Sequence, residues 1–312
     1  MRRRLFLKEM AALAAAGLPL AAKGATTMKP YDPKARFEIK VFEVPFRKNA
    51  KGRQLMARIY QPQPNGKNAG PFPTLLDLHG GAWQRKDRTA NEPMDRAVAA
   101  SGVLVVAIDM TLSGEAPYPA SVQDASYGVR WLKSKAAQWK GDATQLGILG
   151  SSTGGHIAEL IAMRPDDARY NAIPLEGAKA DATVAYVATR SPISNPYARW
   201  QNAEAKKRES LIKGSKGYFQ PWESIHEANP QEILERREKV VLRPLLIMQG
   251  ELDDNVLPAV QQKFAETYRA AGGECEFHVF KGCEHEWVAK PGPQTDAAHE
   301  MVKAFIARNL GK

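Results

Sequence analysis

The residues with the clearest capacity for covalent chemistry lie in Gly150-Ser151-Ser152-Thr153-Gly154-Gly155-His156, which contains G-x-S-x-G centred on Ser152. It follows the apolar run Gln145 to Leu149 and precedes the helical pattern Ile157 to Met163. A sharp strand-to-helix turn brings backbones close together and needs small residues on either side, and it lifts the serine hydroxyl above a sheet. Serine is a weak nucleophile until a base takes its proton, and the base needs a carboxylate to fix its tautomer. Both partners are expected downstream, the acid after a late strand and the histidine after the last. Gly250 to Pro258 offers Asp253 and Asp254, and Gly282-Cys283-Glu284-His285 offers His285. Of the six histidines, His79 belongs to another motif, His156 begins a helix and His226 lies in an insertion. His278 falls within a strand and His299 on the last helix, so His285 is the base. Asp253 is preferred as the acid, while Asp254 is also placed to cap the following helix. Acyl transfer further needs N–H donors aimed at a developing oxyanion. His79-Gly80-Gly81-Ala82-Trp83 ends an earlier strand, and Gly81, Ala82 and Thr153 are the expected donors. Trp83 either lines an acyl pocket or packs.

These motifs sit on a regular alternation of strand and helix patterns. Eight strands are expected: Arg36 to Pro45, Gln54 to Gln61, Thr74 to Leu78, Val103 to Asp109, Gln145 to Leu149, Ala182 to Ala188, Leu245 to Gln249 and Glu274 to Phe280. From the third onward the runs are apolar throughout, as strands covered on both faces are, and helical stretches separate most of them. The pattern is that of an α/β protein with a mostly parallel sheet and helices on both faces. The first two runs alternate and flank a turn, Lys48 to Arg53, as an antiparallel edge pair does. The stretch 192–240 breaks the rhythm with charges and the aromatics Tyr197, Trp200, Tyr218, Phe219 and Trp222, and reads as a lid-like insertion over one end of the sheet.

Taken together, the chain resembles the α/β-hydrolase esterases related to hormone-sensitive lipase, in particular the carboxylesterase, acetylxylan esterase and feruloyl esterase-like branch. The resemblance rests on His79 to Trp83, Asp109 followed by Ala116-Pro117-Tyr118-Pro119-Ala120 and Asp124, the Ser152 turn, Gly250 to Val256, and Gly282 to His285. It implies an α/β-hydrolase fold, a Ser152–His285–Asp253 triad, and cleavage of a small-molecule or carbohydrate ester without metal or organic cofactor. Asp109 and Asp124 are expected to order loops rather than to react. Ala82 stands where a third glycine is frequent and Thr153 where alanine is frequent; both roles use the backbone N–H. A serine peptidase of the prolyl-oligopeptidase type shares the triad but carries a propeller, for which little sequence precedes residue 36. A hydrolase-shaped binding protein is expected to lack one triad member, and all three candidates are here.

The remaining composition narrows the classes. Cys275 and Cys283 flank a strand, too far apart for a disulfide. The net charge of +10 comes with basic and acidic residues interspersed and no nucleic-acid-reading motif, so a solvated surface is expected and nucleic acid is not a partner. Residues 1–25 read as a twin-arginine export signal: Arg3-Arg4-Leu5-Phe6-Leu7-Lys8, then an apolar run from Met10 to Ala22, with a cleavage site expected between Ala21 and Thr26. Removing Arg2, Arg3, Arg4, Lys8, Lys23 and Glu9 lowers the charge to +6. The expected mature protein, 26–312, is a single hydrolase domain in the periplasm or outside the cell, with no membrane span and no oligomeric state assigned.

Overall fold

A computed structural model describes residues 31–66 and 68–311; the expected export segment lies outside them. The strands are β1 (Ile39–Lys48), β2 (Gln54–Pro62), β3 (Phe72–Leu78), β4 (Leu104–Ile108), β5 (Gly141–Ser151), β6 (Tyr186–Arg190), β7 (Leu245–Gly250) and β8 (Cys275–Phe280). They form one sheet in the order β1-β2-β4-β3-β5-β6-β7-β8. Pairing is antiparallel between β1 and β2 and between β2 and β4, and parallel from β4 to β8. The helices are α1 (Glu92–Ala99), α2 (Ala120–Lys135), α3 (Thr153–Met163), α4 (Pro196–Ala205), α5 (Glu209–Tyr218), α6 (Ser224–Glu227), α7 (Pro230–Glu235), α8 (Pro258–Ala270) and α9 (Pro293–Asn309).

Successive strand side chains point to opposite faces, which explains the unbroken apolar runs. Leu75, Val105, Leu149 and Leu246 enter one core with Met94 and Val98 of α1 and Val302 and Phe305 of α9. Their neighbours Leu76, Val106, Ile148 and Ile247 enter the other, with Val122 of α2, Leu160 of α3 and Phe264 of α8. Full burial of each such side chain is worth about 1.5–3 kcal/mol, so the central strands are a rigid platform. Strand β8 departs from the expected pattern: it has only β7 beside it, and Val279 is 46% exposed. The sixth strand begins at Tyr186, four residues later than its apolar run, and extends through Thr189 and Arg190.

The stretch 192–240 folds as the four helices α4 to α7 between β6 and β7. Two Asn-Pro pairs start helices here, the asparagine capping and the proline taking the first helical position, where no N–H is needed. Asn195 accepts from the N–H of Ala198, and Asn229 from that of Glu232. Asn229 Nδ2 also donates to Asn195 Oδ1 at 3.0 Å, joining the two caps. The insertion is fastened to the domain by Trp83, which stacks on Tyr218 at 4.7 Å, and by His156, whose Nε2 lies 2.7 Å from the carbonyl of Ala228.

Candidate active site

Because β3, β5, β7 and β8 are parallel, the segments leaving their C-terminal ends meet at one edge of the sheet. Strand β5 delivers Ser152 on a turn with φ +53° and ψ −114°. The flanking glycines are required by contact: a Cβ on Gly154 would lie 2.0 Å from the carbonyl oxygen of Leu78, and one on Gly150 2.6 Å from that of Gly154. The helix α3 starts at Thr153, earlier than its apolar pattern, so Ser152 stands at its N-terminus.

Strand β7 delivers Asp253 and the loop after β8 delivers His285. The Ser152 hydroxyl lies 2.9 Å from His285 Nε2, and His285 Nδ1 lies 2.8 Å from Asp253 Oδ2. With the imidazole neutral and its proton on Nδ1, the serine donates to Nε2 and Nδ1 donates to the carboxylate. Asp253 is itself held: Oδ1 accepts from the N–H groups of Asn255 and Val256 at 3.0 and 2.9 Å, and Oδ2 also accepts from Gln249 Nε2 at 3.0 Å. Burial acts to raise the Asp253 pKa, but the hydrogen bond and charge of His285, together with the Val256 N–H and the Ser191 hydroxyl, outweigh it and leave the group below the ordinary carboxylate value. Burial lowers the pKa of His285, Asp253 pulls it back up, and the charges of Arg190 and Arg199 push it down again; the net shift is downward.

Asp254 takes neither role considered for it. Its carboxylate faces outward to Arg208, and α8 begins behind Leu257 with Pro258 at its first position and no side-chain cap. That proline leaves one fewer helix-end N–H for a cap to satisfy.

The loop after β3 turns through three residues of positive φ: Gly81 (+114°), Ala82 (+55°) and Trp83 (+61°). His79 Nδ1 bonds the Gly80 carbonyl at 2.7 Å, and the Gly81 carbonyl accepts from Gln84 and Arg85. A Cβ on Gly80 would lie 3.1 Å from the Ser152 Cβ, so this backbone runs directly beside the serine. Among the described residues, no acceptor takes the N–H of Gly81, Ala82 or Thr153. Trp83 packs: it is 4% exposed, enclosed by His156, Tyr218 and Phe219.

Of the other histidines, His156 is held at the insertion and His226 lies against Glu232. Asp109 ties the N–H groups of Met56 and Arg88 and the Arg88 guanidinium, and Asp124 ties Thr111 and Arg47. Both order the loops beneath the site, as expected. Cys275 and Cys283 are free. The sequence reading missed Arg190, which ends β6 just beyond its apolar run, and Arg199, whose place in a polar insertion gives no sign that it turns inward.

Comparison with known proteins places this geometry. Residues 58–268 match the BD-FAE family, two thirds of the sequence. The chain belongs to the BD-FAE family. Curated relatives of this BD-FAE protein include carboxylesterase NlhH of Mycobacterium tuberculosis, 32% identical over 111 residues, 35% of this chain and 34% of the relative. Esterase LipC of the same species is 22% identical over 247 residues, 76% of this chain and 58% of the relative. The chain thus spans about a third of the length of the first curated relatives it matches. Among solved structures, esterase B from Lactobacillus rhamnosis superposes with a TM-score of 0.70 at 19% identity, covering 88% of this chain and 86% of that one. Thermogutta terrifontis esterase 2, solved phosphoramylated by tabun, gives 0.68 at 22%, covering 86% and 94%. These likenesses show the α/β-hydrolase fold, in agreement with the resemblance drawn from the motifs.

Proposed function

We propose that this BD-FAE protein hydrolyses carboxylic esters, with Ser152 as nucleophile, His285 as general base and then acid, and Asp253 as the group that orients the imidazole. The observation that carries the reading is the unbroken hydrogen-bond chain from the Ser152 hydroxyl through His285 to Asp253. His285 Nε2 takes the serine proton as Oγ bonds the ester carbon. Negative charge then develops on the former carbonyl oxygen, toward which the N–H groups of Gly81, Ala82 and Thr153 are the available donors. Collapse expels the alcohol, which takes the proton from Nε2, and water repeats the sequence to release the acid. The esterase names of the curated relatives and of the structural neighbours support ester over amide chemistry.

The substrates proposed are esters of short acyl groups, or of carbohydrates or phenols. The enzyme is further proposed to be exported through Arg3 and Arg4; paired lysine substitution there should retain the protein in the cytoplasmic fraction. The activity is tested with p-nitrophenyl acetate, butyrate and octanoate, with chelator present. Turnover that favours the short chains and vanishes in Ser152→Ala is expected. Equal turnover by the variant would overturn the nucleophile assignment.

A further inference from the structure

Arg199, on α4 of the insertion, is 3% exposed. Burying a guanidinium is costly unless it is paired, and the described residues place no carboxylate within 4 Å of it, unlike Arg47, Arg53, Arg88 and Arg164. Neutral groups hold it instead. Nε donates to Asn255 Oδ1 at 3.0 Å, Nη1 donates to Ser215 Oγ at 3.3 Å, and the guanidinium lies 5.6 Å from the centre of the Trp83 ring. Those contacts fix its position between the two loops that build the site. Asn255 is two residues beyond Asp253 and donates its own N–H to that carboxylate, and Trp83 follows Ala82. The charge of Arg199 acts on Asp253 and on His285.

One nitrogen is uncommitted. Nη2 makes no hydrogen bond among the described residues, and it is not among the sealed, unpartnered polar atoms, which include Nε of Arg190. It therefore keeps a small solvent-accessible area although the residue as a whole is buried. The insertion around it is basic: 204–216 carries Lys206, Lys207, Arg208, Lys213 and Lys216 against Glu204 and Glu209. A cation pre-positioned by neutral partners, with one nitrogen still able to donate, is suited to a carboxylate, whose charge and acceptor oxygens match it.

Building on the ester-hydrolase reading, we propose that Arg199 is a specificity-determining residue that binds a carboxylate carried by the substrate, so that the preferred esters are anionic. If Arg199 only fastened the insertion to the Trp83 loop, anionic and neutral esters would be treated alike.

Two pairs that differ in the charged group, one neutral member larger and the other smaller than its anionic partner, test this, each rate being read as kcat/KM: 4-acetoxybenzoate against its methyl ester, and monoethyl glutarate against ethyl valerate. The wild-type enzyme is expected to prefer the anionic member of at least one pair by about tenfold or more, through a lower KM. In Arg199→Gln that preference should collapse to within about twofold; because it is a ratio, partial misfolding cancels. Should Arg199→Gln fail to fold, Arg199→Lys keeps the cation without the fork and is expected to keep only part of the preference. Neutral esters turned over with no anionic preference in either pair, or a preference that survives Arg199→Gln or is undiminished in Arg199→Lys, would overturn the proposal and leave the hydrolase reading standing. No turnover of any ester would remove both.

Discussion

At the scale of the residue, the proposed base determines how the proposed reaction depends on pH. His285 must be neutral to accept the serine proton, and burial sets its pKa below the ordinary histidine value despite the opposing pull of Asp253. Activity is therefore expected to rise with pH through a midpoint below about 6.5 and to be flat at neutrality. A kcat/KM profile measures this; a midpoint above 7 would show that the environment of His285 is not the one described. The two aspartates separate by substitution. Asp253→Asn leaves Nδ1 without its carboxylate and should lower kcat by about 10⁴-fold. Asp254→Asn breaks only a surface pair with Arg208 and should change rates on a neutral ester by less than about fivefold. The sequence placed both aspartates after a late strand and preferred Asp253 because Asp254 was also placed to cap the following helix. What it did not contain was the reason Asp254 turns away, which lies in Arg208, distant in sequence and brought near by the insertion.

At the scale of the element, the turn bearing Ser152 depends on space that only glycine leaves. Gly154→Ala places a Cβ against the Leu78 carbonyl of the neighbouring strand and should destabilise the protein by about 3 kcal/mol, with loss of activity. Gly114 has no atom within 4 Å of the same position and an ordinary φ, so Gly114→Ala should leave the melting temperature within about 2 °C. Thermal denaturation of the two variants side by side checks both. Strands and turns of this kind were legible because each obeys a local rule: apolar at every position when both faces are covered, glycine where backbones touch. The helices of the insertion were legible only as an interruption. Two of their four starts are marked by Asn195-Pro196 and Asn229-Pro230, but which face turns inward is decided by Trp83 and His156 on the platform below.

At the scale of the whole molecule, stability should carry the signature of a buried acid pair that no sequence rule reveals. Asp77 on β3 accepts from Asn91 Nδ2 at 2.8 Å, and Asn91 Oδ1 accepts from Ser151, so this network reaches the residue before Ser152. Asp95 on α1 is fully buried with both carboxylate oxygens unpartnered. Burial raises the pKa of both; the charges of Asp77 and Glu92 raise that of Asp95 further, while Asn91 and Arg190 oppose the rise at Asp77. A raised folded-state pKa means that the native state holds protons which the unfolded chain has already lost. The contribution is thus complete below about pH 4 and is lost as pH rises toward neutrality, at about 1.4 kcal/mol per pH unit for each retained proton. Asp95→Asn removes one such group, so its stability relative to wild type should grow from pH 5 to pH 7.5 in urea titrations. An unchanged difference would mean that Asp95 is ionised in the folded protein.

The central claim is that Ser152 is the residue made nucleophilic by this arrangement, and covalent capture tests it most directly. A fluorophosphonate probe is added to the wild type, Ser152→Ala and His285→Ala, and the modified peptide is located by mass spectrometry. The account predicts a single adduct on Ser152 in the wild type, no adduct in Ser152→Ala, and strongly slowed labelling in His285→Ala. An adduct on another residue, or labelling undiminished in Ser152→Ala, would contradict it.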